Sequence, residues 1–215
     1  MAQNSTPVAK QIRELLAVDG RLYYLFLVLL FLVIRYLTDI LVLESIPDSD
    51  RLTSQGDLTF FFLFNALNYL WTPFALLWKF TVTAFLFWSI GLMIGFKAPF
   101  KELWKFALIS ETVFILPELL RLLVFMNSAQ DFTYLEVRNF EPLSLLSLLG
   151  PENIDSKFHY PLSVLNIFEI LYGFIWVYGF HTISRRNFSE STTVVLIAYY
   201  LPLLIWLGFY IGAYR

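Results

Sequence analysis

The chain has 215 residues, of which 58% are hydrophobic, 19% aromatic and only 15% charged, with a net charge of −2. A soluble domain carries nearer ~25% charged residues, so this composition points to a chain whose solvent is a bilayer. The absence of cysteine and the presence of just two histidines, His159 and His181, exclude a disulfide framework, a thiol nucleophile and a cysteine- or histidine-rich metal centre. With no basic patch to neutralise phosphates, nucleic acid is excluded as a partner.

Residues 1–21 read as a cytoplasmic N-terminal amphipathic segment. Thr6-Pro7 offers an N-cap followed by proline at the first helical position, and Gly20 offers a stop. Val8, Ile12, Leu15 and Leu16 fall on one helical face, which suits a helix lying on the inner leaflet. The apolar run that follows is too long for a cleaved signal peptide.

Residues 22–215 read as an all-α, polytopic domain of five transmembrane helices, over about 22–43, 73–95, 104–126, 161–183 and 192–214. Each span meets the ~20 apolar residues that a hydrocarbon core of ~30 Å requires. Short interfacial helices complete the expected architecture. Phe60–Leu70 is about eleven residues long, too short to cross. Thr72-Pro73 is a good helix start, so this Phe-rich stretch is expected to be a separate helix at the outer interface. Pro117 is expected to kink the third span. In the long connection that follows, Phe132–Val137 reads as a short strand and Pro142–Leu149 as a stubby helix closed by Gly150-Pro151.

The basic residues set the orientation. Lys10, Arg13, Arg21, Lys97, Lys101, Lys105, Arg185 and Arg186 share one side of the five-span arrangement. Arg51, Arg138, Lys157 and Arg215 fall on the other, among nine acids from Glu44 to Asp155. The N-terminus is therefore expected inside and the C-terminus outside.

Chemistry, if any, rests on the charges within the spans. Arg35, Lys79, Glu118 and Glu169 lie about eight residues from the outer boundaries of their spans, a common depth of ~12 Å. A charge at such depth needs a partner or a proton. Glu169, in the middle of the apolar run Pro161–Ile183, is expected to pair with Arg35 or Lys79, and Asp39 with Arg121 nearer the surface. Glu111, with Ser110 and Thr112 beside it, reads as a separate carboxyl, protonated and hydrogen-bonded to a facing helix. Asn65, Asn68 and Asn166 read as interhelical glue. The plainest reading of this polar layer is a set of ion pairs that fix packing; the sharper one is a pathway for an ion or substrate. No nucleotide-binding, metalloprotease or serine-hydrolase motif occurs, so neither an enzyme nor a cofactor is expected.

The order of the pieces resembles the bacterial branch of the Yip1 family. The similarity runs over about residues 73–214. It is carried by GFKAPFKELWKFALISETVFILP, by PLSLLSLLG and by LNIFEILYGFIWVYGFHTISRR, with Phe168-Glu169 as the aromatic-acid pair opening the fourth helix. The Phe-rich stretch 60–64 and Ser110-Glu111 depart from that pattern. The resemblance implies five spans, a cytoplasmic N-terminus, a bacterial inner-membrane location and a non-enzymatic role in organising membrane or partner proteins. A small transporter or lipid-handling protein using the charge layer is the alternative. The expected partners are the bilayer, other membrane proteins or further copies of the chain.

Overall fold

The computed structural model describes residues 7–46, 49–56, 58–126, 132–133, 136–137 and 139–214. Thr6, the expected first cap, and Arg138 and Arg215, counted among the outer charges, lie outside the described residues. The described residues form helices joined by turns and short connections, and four of the helical stretches are long and apolar enough to cross a membrane.

Helix α1 (Pro7–Ala17) begins at the proline as expected. Ala9 and Ile12 are its buried residues, whereas Val8 and Leu15 stay exposed. The helix therefore docks along a stripe shifted from the one expected, keeping Ile12 and Leu16 but adding Ala9, against Phe100–Ser110 and Ile167–Ser184. Lys105 Nζ donates to the carbonyls of Leu16 and Val18 at 3.2 and 3.0 Å, satisfying acceptors that the end of α1 leaves free. Gly20 does not stop α1 but opens α2 (Gly20–Glu44). Asp19 is the N-cap of α2, its carboxylate accepting from the backbone N–H groups of Arg21 and Leu22. Those hydrogen bonds hold the Asp19 carboxyl below its ordinary pKa.

After the short α3 (Ser49–Gln55), α4 runs unbroken from Thr59 to Met93, with Pro73 inside it. The expected separation at Thr72-Pro73 is therefore wrong. An interior proline costs ~3 kcal/mol, but helices in lipid tolerate it because neighbouring groups take up the freed backbone positions. Tyr24 Oη donates to the Pro73 carbonyl at 2.9 Å, tying α2 to α4 at this level. At ~1.5 Å per residue, the 35 residues of α4 reach ~50 Å, well beyond a hydrocarbon core.

The expected third span is helical from end to end but irregular. Helix α5 (Phe100–Ser110) passes through a 3₁₀ turn, Glu111–Phe114, into α6 (Ile115–Met126). The irregularity lies just upstream of Pro117, whose ring crowds the carbonyl four residues earlier, in the turn. Of the expected strand at Phe132–Val137, residues 134 and 135 lie outside the described set, and no strand occurs among the described residues. The stubby helix is α7 (Leu145–Leu149), capped by Ser144 and shorter than expected.

The expected fourth span, 161–183, is divided. Helix α8 (His159–Val164) ends at Leu165, and Asn166 caps a separate α9 (Ile167–Ser184). A bridge between Ser144 and Asn166 pins this junction to the start of α7. The last stretch starts at Phe188, four residues before the expected Thr192. It comprises α10 (Phe188–Val195), a π turn over Leu196–Tyr200 and α11 (Leu201–Ala213). Pro202 again explains the irregular turn before it.

The core is aromatic. Phe87 stacks on Trp176 at 3.8 Å, Phe106 meets the same indole edge-on, and Phe80 packs edge-on against Trp104. Gly179 makes this packing possible, because a Cβ there would sit 2.0 Å from Phe106 Cζ.

Candidate functional site

The charges expected in one layer separate into two groups. The inner group is a buried network around Glu111. This carboxylate opens the 3₁₀ turn with no solvent exposure, and Lys79 Nζ of α4 pairs with its Oε2 at 2.8 Å. The ammonium also sits 3.7 Å from the centre of the Phe114 ring, a cation–π contact. Tyr172 of α9 donates to Glu111 Oε1 at 3.1 Å. At the next residue, Thr112 and Tyr23 of α2 share a hydrogen bond at 2.5 Å. Glu111 thus hydrogen-bonds a facing helix as expected, through Tyr172, but it does not stand apart: it is the partner of Lys79.

Glu169 is corrected as well. It pairs with neither Arg35 nor Lys79. It lies in the first turn of α9, and its Oε2 accepts from Tyr199 Oη at 2.5 Å. Tyr200 Oη donates to the Glu169 backbone carbonyl at 3.0 Å. The π turn places both tyrosines on α9. Gly173 admits Tyr200, since a Cβ at that position would meet its hydroxyl at 1.9 Å. Asn166, expected to bridge helices, caps α9 instead by accepting from the N–H groups of Phe168 and Glu169. This inner network lines no cavity among those described.

The outer group surrounds a cavity of about 650 Å³ between α2, α4 and α6. Its polar walls are Arg35, Thr38, Asp39, Asn65, Asn68, Thr72, Glu118 and Arg121. Arg121 does not reach Asp39 as expected. Its guanidinium pairs with Glu118 at 2.8 Å and Glu141 at 3.7 Å, and donates twice to the Phe140 carbonyl. Asp39 Oδ2 instead accepts from Tyr69 Oη at 2.5 Å. Arg35 makes one long hydrogen bond, to Thr72 Oγ1 at 3.3 Å. Glu169 is not among the lining residues, so the polar space is separate from the acid that the sequence made prominent.

Beside the cavity runs a mostly apolar groove of about 330 Å³. Tyr36, Ile40 and Leu43 line it from α2, and Phe62, Ala66 and Tyr69 line it from α4. Each set has the i, i+4, i+7 spacing of one helical face. Asp39, Phe61 and Asn65 border both spaces. Asn65 and Asn68 read only as interhelical glue, and Thr72 and, Asp39 apart, the groove residues were not among the sequence candidates. The Phe-rich stretch that carries several of them read as interfacial bulk. Asn65, Asn68 and Thr72 recur at helical spacing, a polar stripe along an apolar helix, and that signal would have found the cavity wall.

The described residues thus define an all-helical protein with four candidate membrane spans and a polar cavity bordered by two of them, α2 and α4, and by α6. Comparison with protein-family models, curated proteins and solved structures found no match.

Proposed function

We propose that the protein is a non-enzymatic, five-span protein of a bacterial inner membrane that takes an amphiphile from the bilayer into the cavity between α2, α4 and α6. In this reading α5, the 3₁₀ turn and α6 together make the fifth span. Their 27 residues (11, 4 and 12) reach ~40 Å, enough to cross despite the overwound turn. The distribution of Lys and Arg supports an inside N-terminus and an outside C-terminus. The Yip1-like reading rests on the order and spacing of the sequence segments.

Two roles follow from the sequence, organising partner proteins and handling lipid, and the cavity favours the second. Its volume falls within the ~300–1,000 Å³ of ligand sites. Unpartnered polar groups cost several kcal/mol each at hydrocarbon depth, so a polar space there fits a polar occupant. The adjoining apolar groove fits the occupant's chain. That pairing of polar cavity and apolar groove is the observation that carries the reading.

The absence of cysteine makes the wild-type chain its own background for labelling. A bimane fluorophore on the Asn68→Cys variant in vesicles is expected to be quenched by spin-labelled phospholipid more strongly than by aqueous iodide. Quenching by iodide alone would make the cavity a water-filled vestibule and refute the reading.

A further inference from the structure

The charges lining the cavity are unequally used. Arg121 and Glu118 neutralise each other, with Glu141 and the Phe140 carbonyl adding to the same cluster. Arg35 and Asp39 are different. They stand at i and i+4 on α2, where side chains are neighbours with Cβ atoms ~5–6 Å apart. Yet no ion pair joins them, and among the described residues neither has an opposite charge within 4.0 Å. Arg35 spends one of its five donors on Thr72. Asp39 accepts from the neutral Tyr69 hydroxyl on one oxygen. The side-chain amides of Asn65 and Asn68, on the facing wall, make no hydrogen bond among the described residues.

An unspent cation and an unspent anion, one helical turn apart, are complementary to a ligand carrying both charges a short distance apart. An anionic group alone would meet Asp39, and a cationic group alone would meet Arg35. A phosphate and a primary ammonium joined by two carbons satisfy both, with the phosphate taking the planar fork of Arg35 and the ammonium the free oxygen of Asp39. The Asn65 and Asn68 amides supply further donors to the phosphate. The apolar groove shares Asp39 and Asn65 with the cavity, so an acyl chain leaves the headgroup along Tyr36, Ile40, Phe62 and Ala66.

We infer that the cavity is a headgroup site for a zwitterionic aminophospholipid of the phosphoethanolamine type, held by Arg35 and Asp39, with one acyl chain in the α2–α4 groove. This rests on the amphiphile reading above and names its ligand.

The test is binding of defined lipids to delipidated protein in neutral detergent, read as thermal stabilisation against lipid concentration. Phosphatidylethanolamine, phosphatidylglycerol and phosphatidylcholine form the series, with water-soluble glycerophosphoethanolamine as a chain-free probe. Phosphatidylethanolamine is expected to bind most tightly. Arg35→Gln is expected to weaken it by about tenfold or more, the loss of one charge-assisted hydrogen bond. Asp39→Asn, which keeps an acceptor for Tyr69, is expected to move the preference from phosphatidylethanolamine to phosphatidylglycerol. A merely structural role for Asp39 would not produce that reversal. If either variant fails to fold, Ala66→Trp, which fills the groove from an exposed position, is expected to abolish lipid stabilisation. Equal binding of all three lipids would overturn the headgroup assignment and leave the amphiphile reading standing. Glycerophosphoethanolamine binding as tightly as the lipid would make this a site for a soluble zwitterion. No stabilisation by any lipid would overturn both readings.

Discussion

Replacing Lys79 with methionine removes the cation that faces Glu111 and leaves the carboxylate with one neutral donor, Tyr172, in a site without solvent exposure. Glu111 is buried but the Lys79 side chain is 47% exposed, so the cost is bounded by the about 3–5 kcal/mol of breaking a fully buried pair. For a chain of this length that bound corresponds to a fall of about 6–20 °C in Tm. Removing both charges is less harmful, because the survivor's burial is what hurts. Thermal unfolding in detergent of Lys79→Met, Glu111→Leu and the double variant is the assay. Lys79→Met is expected to be the least stable of the three, with the double variant recovering at least half of its loss. A double variant as unstable as the sum of the two singles would show that the 2.8 Å contact does not couple them, and the inner network would lose its centre.

Three further outcomes follow. Gly179→Ala drives a methyl into the Phe106 ring between α9 and α5 and is expected to cost about 1–3 kcal/mol in the same unfolding assay, whereas Gly208→Ala, with open space around it, is expected to cost less than half as much. Burial raises the Glu141 carboxyl above its ordinary pKa of 4.5, against the opposing pull of Arg121. Its folded form therefore holds a proton more tightly than the unfolded chain, so its contribution to stability is complete below 4.5 and is lost as pH rises through the raised value. Glu141→Gln is expected to flatten that part of the stability profile, measured by unfolding between pH 4 and 7. Reporter fusions after Lys101 and Arg186 are expected to read cytoplasmic and one after Asp155 external; a cytoplasmic reading at Asp155 would break the five-span arrangement.

The elements that the sequence made legible were those with local signals. Pro7 opens α1 as a first-turn proline does, and the apolar runs mark the long helices. The depth layer was not legible, because it was counted from helix ends. Once α4 starts at Thr59 instead of Pro73, and α9 at Ile167 instead of Pro161, the register that placed Lys79 and Glu169 together disappears. Glu111 read as separate because its approach to Lys79 depends on the 3₁₀ turn before Pro117, which rotates the side chain relative to a regular helix. Tyr199 reached Glu169 by a similar route, through a π turn ahead of Pro202. In both places a proline marked the site of the irregularity, but the side chain it presented became visible only in three dimensions.

The central claim is that a lipid occupies the space between α2, α4 and α6. Native mass spectrometry of the protein released gently from its own membrane measures this directly. A one-to-one adduct of phospholipid mass is expected on the wild-type chain, absent from Ala66→Trp. Bare protein as the sole species in the wild type, or an adduct that persists unchanged in Ala66→Trp, would contradict it.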